Sequence, residues 1–171
     1  MREIDSAIGP LVLATAGARE ARVAALAFGE AWPRHRARIA AGTGTGPADF
    51  RPARSATDAE RRLRDYFAGD MAALDEISVD AVGTPFQHAV WSALRGIEPG
   101  ATASYADVAR VIGRPRATRA VGLANGANPV CVIVPCHRVI ASGGGLGGYG
   151  GGLDRKRWLL AHEGALAAVG D

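Results

Sequence analysis

Of the two cysteines in this 171-residue chain, one sits where a nucleophile can be made. Cys136 is preceded by Pro135 and followed by His137 and Arg138, so an apolar run ends in a thiol, an imidazole and a guanidinium. A base and a positive charge beside a thiol lower its pKa and favour the thiolate, the form that attacks electrophiles. Cys131, inside the apolar run, fits an inert buried hydrophobe. In an extended chain, adjacent side chains point to opposite faces, so a turn or a water must connect Cys136 to His137. A histidine acting as base also needs a group that fixes its tautomer and stabilises its cation. Glu163, at the end of a helix whose dipole it opposes, is a candidate for that role; the alternative is a solvated terminal glutamate.

Other chemistries find less support. Four residues separate the two cysteines and no second pair exists, while His35, His88, His137 and His162 are scattered, so neither a metal site nor a disulfide framework is expected. Gly143, Gly145 and Gly148 match the dinucleotide-binding spacing, but the chain nearly ends after the following helix and leaves no strand to complete that unit. No cofactor is expected. No stretch has the length of apolar sequence needed to cross a bilayer and no leader pattern opens the chain, which points to a soluble, cytoplasmic protein. The net charge is +3; residues 1–83 carry 11 basic and 12 acidic side chains, residues 84–171 carry 9 and 5. A basic second half suits phosphate contacts and equally suits a solvated arginine-rich surface.

The elements that must position these residues fall into two groups. In the first, short apolar runs at Ile8 to Ala14 and Val23 to Phe28 predict hairpin strands. Residues 42–52 read as a loop, and 58–68 as a helix with a Thr57/Glu60 capping box and Leu63 and Phe67 on one face. After Gly83 the pattern turns helical. Thr84, Pro85 and Gln87 supply a cap, a first-turn proline and a box partner, with Phe86, Val90, Trp91 and Leu94 as the apolar stripe. A second helix starts at Ser104 with Asp107 as box partner and is expected to bury Val108, Val111 and Ile112 before Gly113 ends it. A third opens at Pro115 and runs through Arg119 and Val121. The Ala109/Gly113 spacing fits a helix-turn-helix or an ordinary helical hairpin. Val130–Val134 predicts a short buried strand delivering Cys136 to the core edge, followed by a glycine-rich loop at 143–152 and a helix over 153–163 with Trp158, Leu159 and Leu160 as its apolar residues.

Taken in order, Arg119-Ala-Val-Gly, Asn128-Pro129, Pro135-Cys-His-Arg-Val-Ile140, Gly147, Tyr149 and Trp158-Leu-Leu-Ala-His-Glu-Gly164 resemble the O6-alkylguanine-DNA alkyltransferase family over residues 84–166. The first eighty residues resemble it more loosely, through Tyr66-Phe67-Ala-Gly. The resemblance implies an α+β protein: a small ribonuclease H-like α/β domain over 1–80, then a mainly helical, winged helix-turn-helix-like domain over 81–171 that binds DNA and carries the active site. It implies Cys136 as nucleophile, His137 as base acting through water, Glu163 as its orienting partner and Asn128 as a brace for the turn. Tyr105 and Arg119, with Ala120 and Gly122, would contact DNA through the minor groove, Tyr105 helping turn the target nucleotide out and Arg119 filling the space it leaves. Flipping is required because a thiolate cannot approach the alkyl carbon of a stacked guanine in line. Val139, Tyr149 and Gly150 would line the base pocket, and Gly150 departs from relatives with serine there.

The implied reaction is irreversible, stoichiometric transfer from O6-alkylguanine, less so O4-alkylthymine, in double-stranded DNA to Cys136 by a monomer, without metal. Three rival functions fit these residues less well. A non-enzymatic lesion-recognition protein of the same fold would lack Cys136. A cysteine hydrolase would show a distant histidine and amide pair, and a helix-turn-helix regulator would leave 135–140 unexplained.

Overall fold

Apolar side chains on consecutive residues from Val23 to Phe28 leave no face for water, so both faces of this strand must be buried. In the computed structural model, which describes residues 1–16, 22–43 and 57–166, that strand is the third of an antiparallel sheet: β1 (Arg2–Ile4), β2 (Leu11–Ala16) and β3 (Arg22–Phe28). The order is β1-β2-β3, with Leu11 opposite Phe28 and Leu13 opposite Leu26, and a register irregularity between Ala14 and Thr15. The free side of β3 is covered by an isolated parallel bridge to Val79, through Val23 N to Ser78 O and Asp80 N to Val23 O. The expected strand at 8–14 begins later, because Gly9 closes a turn onto Ser6 O.

A short 3-10 turn leads into α1 (Trp32–Thr43), whose Trp32 and Ile39 pack with Val12, Ala14 and Ala25. The sequence reading missed both α1 and the three-residue β1. Of the loop expected at 42–52, residues 42 and 43 belong to α1, and the rest lie outside the described residues. In α2 (Asp58–Phe67), Thr57 caps through Glu60 N, but the box is half made: the Glu60 carboxylate pairs instead with Arg2 (2.7 Å) and Arg64 (2.8 Å). Leu63 and Tyr66 supply its core contacts.

The chain divides into two compact units, Met1–Val82 and Gly83–Asp171. In the second, α3 (Pro85–Arg95) carries the complete Thr84/Gln87 capping box, and its Val90, Trp91 and Leu94 are buried. The Trp91 indole donates to Ala124 O (2.9 Å), tying α3 to the helix over 118–126. β4 (Ala103–Ser104) leads into α4 (Tyr105–Val111) with the predicted Ser104/Asp107 box. Val108 and Ala109 are its buried face. Val111, by contrast, is 74% exposed and Ile112 half-buried, because the helix stops there and leaves no further turn to fold them onto a neighbour.

Gly113 N to Arg110 O and Arg114 N to Ala109 O make the Schellman exit from α4. α5 (Thr118–Gly126) begins three residues after the proline expected to open it, because residues 114–117 form a separate turn closed by Ala117 N to Arg114 O. β5 (Val139–Ile140) pairs parallel with β4, and α6 (Leu153–His162) ends the unit. No helix among the described residues is long and apolar enough to cross a membrane. The coarse expectation of a mixed α and β chain holds.

Candidate active site

Val130–Val134 is not a strand. All five side chains are buried, but the backbone folds into turns, with Ile133 N on Cys131 O (2.9 Å) and Val134 N on Val130 O (2.9 Å). Val132 takes φ 71°, a conformation a β-branched residue adopts only when its surroundings impose it. Asn128 imposes it: its side chain accepts from Val130 N (2.9 Å) and donates to Val134 O (2.8 Å), spanning the turn, and it also hydrogen-bonds the Cys136 thiol. Pro135 then leads into a 3-10 turn over Cys136–Arg138, closed by Arg138 N to Pro135 O (3.0 Å). This turn supplies the connection that an extended chain could not give Cys136 and His137. Asn125 of α5 reaches Cys136 O from the other side (3.4 Å).

Behind the thiol lies a buried relay. His137 Nε2 donates to Glu163 Oε1 (2.9 Å), and both side chains are cut off from solvent. Glu163 is the C-cap of α6, and Gly164 follows at φ 77°, so that Gly164 N and Ala165 N close a Schellman turn that fixes the carboxylate. Arg138 grips Glu163 through Nε and Nη2, both at 2.8 Å, and also binds Ile97 O. Burial pushes the Glu163 pKa up, but the hydrogen bonds and charges of His137 and Arg138 outweigh it and hold the carboxyl well below the usual range. An ionised Glu163 accepts from Nε2–H, which leaves His137 Nδ1 as the acceptor, and Nδ1 has no hydrogen-bond partner among the described residues. Burial lowers the His137 pKa, against the raising effect of Glu163, so the imidazole is neutral and able to take a proton.

Cys136 is 6% exposed. Burial pushes its thiol pKa up, while the Asn128 hydrogen bond and the charge of Lys156 work the other way. The sequence reading assigned the nearby positive charge to Arg138; that guanidinium is spent on Glu163, and the cation acting on the sulfur is Lys156.

Tyr105 stands beside the thiol because β4 runs parallel to β5, setting the start of α4 against the exit of the reactive turn. Its pKa is raised by burial and by the charge of Cys136. Gly147, at φ 65°, lies against the phenol: a Cβ there would meet the Tyr105 hydroxyl at 3.3 Å, so only glycine combines that backbone with that approach. A Cβ at Gly122 would lie 3.8 Å from the other edge of the ring, in ordinary van der Waals contact. Val139 is fully buried; Tyr149 is half-buried and Gly150 exposed, with nothing within 4 Å of the position a side chain would take. Arg119 and Ala120 lie exposed on α5, away from the relay. Lys156, Asn125 and the role of Arg138 were missed. A signal for Lys156 existed: it stands seven residues before Glu163, on the same face of α6.

Residues 85–165 match the family model described as the 6-O-methylguanine DNA methyltransferase DNA-binding domain. The chain is 44% identical over 162 residues to a Mycobacterium bovis methylated-DNA–protein-cysteine methyltransferase, covering 95% of this chain and 90% of that one. It is 55% identical over 105 residues to the Salmonella typhimurium protein of that name, a match spanning 61% of each chain's length. A crystal structure of Mycobacterium tuberculosis OGT in complex with DNA superposes with a TM-score of 0.78 at 41% identity, covering 98% of this chain and 92% of that one.

Proposed function

This chain belongs to the methylated-DNA–protein-cysteine methyltransferase family, and from that premise we propose that it repairs DNA by moving an alkyl group from O6-alkylguanine onto its own Cys136. The observation that carries the reading is the buried chain from Arg138 through Glu163 to His137, on the turn that bears the thiol.

In the proposed reaction, His137 Nδ1 takes the thiol proton through a water, and Glu163 stabilises the imidazolium. The thiolate attacks the alkyl carbon. A carbon–sulfur bond forms, the carbon–O6 bond breaks with its electron pair going to guanine, and a proton returned to the base restores ordinary guanine. The thioether has no easy leaving group, so each molecule acts once. The duplex is bound through its minor groove by a winged helix-turn-helix built on α4 and α5, with Arg119 filling the place of the flipped nucleotide and Tyr105 turning it outward; Ala120 and Gly122 let the helix approach closely. Asn128 braces the turn, and Val139, Tyr149 and Gly150 border the base. The domain boundary falls near residue 80, the first domain is ribonuclease H-like, and the protein acts as a cytoplasmic monomer. Open space at Gly150 supports tolerance of alkyl groups larger than methyl. An O6-benzylguanine duplex should therefore react, and failure to react while the methyl lesion does so rapidly would count against a roomy pocket.

The test is incubation with a duplex holding one O6-methylguanine, followed by intact mass and peptide mapping. One methyl on Cys136, absent from Cys136→Ala, is expected. Unmodified protein, or methyl on another residue, overturns the reading.

A further inference from the structure

The buried face of α6 reads Lys156, Leu159, Leu160 and Glu163, at i, i+3, i+4 and i+7. The leucines are ordinary core, and the two charged ends lie about 10 Å apart along the helix. Glu163 is accounted for by His137 and Arg138; Lys156 has no such account. Its side chain is 0% exposed, and its ammonium donates to Val139 O (2.6 Å), to Leu146 O and to Gly148 O (3.4 Å). Val139 follows the reactive turn directly, while Leu146 and Gly148 flank Gly147, the residue pressed against Tyr105. One side chain thus ties the exit of the turn to the loop that backs the tyrosine. A neutral donor could join such carbonyls at a lower desolvation cost, so the retained charge calls for a use.

We propose that Lys156 is a positioning residue for the reactive thiol: it fixes the reactive turn to the glycine loop and presents to Cys136 the positive charge that Arg138, committed to Glu163, does not supply. Desolvation lowers the Lys156 pKa to about 8, and the sulfur of Cys136 acts against that lowering, as mutual stabilisation of ammonium and thiolate requires. The other titratable groups around the pair are Tyr105 from α4 and the His137, Arg138 and Glu163 relay, whose sum sets the background on which Lys156 acts. The transfer arm of the test rests on the alkyl-transfer reading; the thiol arm does not.

The thiol arm follows modification of Cys136 by iodoacetamide without DNA, located by peptide mapping, from about pH 6 to about pH 10 in the full chain. Lys156→Met should move the midpoint up by about one unit, leaving about tenfold less thiolate at neutral pH. In the transfer arm, single-turnover methyl transfer should slow by at least that factor, with duplex affinity unchanged. A folded variant whose midpoint stays put overturns the proposal. Should Lys156→Met fail to fold, the coupling is read from the other side, because linkage is reciprocal. The Lys156 ammonium, followed by NMR in wild type and Cys136→Ser, should titrate at a lower pH in the variant; identical midpoints overturn the proposal. An intact midpoint shift in a protein that accepts no alkyl group from any duplex would overturn the repair reading and leave the Lys156 assignment standing.

Discussion

Both units bury a carboxylate on a helix, and they treat it differently. Glu60 in the first unit is 1% exposed and is met by Arg2 and Arg64, whose side chains are 33% and 68% exposed. Glu163 in the second is met by His137 and Arg138, which are buried with it. A charge answered by arginines that reach out to water holds an element in place at modest strength. A charge answered inside the core orients a histidine on the turn that bears the thiol and stands ready to stabilise its cation, at a far larger desolvation cost. The second arrangement is worth its cost only where the histidine is used.

The sharpest way to break this comparison is Glu163→Gln against Glu60→Gln. The amide in place of Glu163 strands Arg138 and weakens the imidazolium, so transfer should fall by about 100-fold or more and stability by about 3–5 kcal/mol. Glu60→Gln should cost about 1 kcal/mol in thermal or denaturant melts and leave the transfer rate of the folded protein unchanged. Equal effects on transfer would end the distinction.

Asn128→Ala comes next. It removes the hydrogen bonds spanning the turn that holds Val132 at positive φ, and should lower stability by about 2–3 kcal/mol, with slower iodoacetamide modification of Cys136. A variant with wild-type stability would show that packing alone holds the turn.

A smaller effect separates the arginines at the two surfaces. Arg119→Ala should weaken duplex binding by about tenfold in a titration at fixed salt, with iodoacetamide reactivity intact. Arg61→Ala, which removes an exposed pair with Asp58, should change neither binding nor stability by more than about 0.5 kcal/mol.

These contrasts also mark what could be read beforehand. The boxes at Thr84/Gln87 and Ser104/Asp107 were legible because a cap is decided within four residues. Glu163 was legible as a candidate partner for His137, but not as the partner of Arg138. Val130–Val134 was misread because a β-branched run looks the same in a buried strand and a buried turn; the deciding group, the Asn128 side chain, lies outside the run. Arg138 was misassigned because adjacency along the chain does not say which way a long side chain turns. Lys156 was overlooked because lysine is ordinarily a surface residue, and only the three carbonyls that fold around it make its burial possible.

The smallest expected effect concerns acid. His35, buried in the first unit, has its pKa lowered to about 4 by burial and by Arg34 and Arg38. A base whose folded pKa is depressed takes up protons on unfolding, so its contribution to stability is complete above about 6.5 and is lost as pH falls toward 4. His137 acts with the same sign. Glu163, depressed as an acid, contributes above its unfolded value of about 4.3 and loses that contribution only below it. Melts of His35→Asn should therefore depend less on pH between about 6.5 and 4 than wild type, without losing the dependence altogether.

The claim that the buried relay serves a self-consuming thiol is tested most directly by stoichiometry. With methylated duplex in large excess and the guanine product followed to completion, repair should stop at one equivalent per protein molecule, each molecule carrying one added methyl. Continued repair beyond one equivalent, with Cys136 returned to the free thiol, would contradict it.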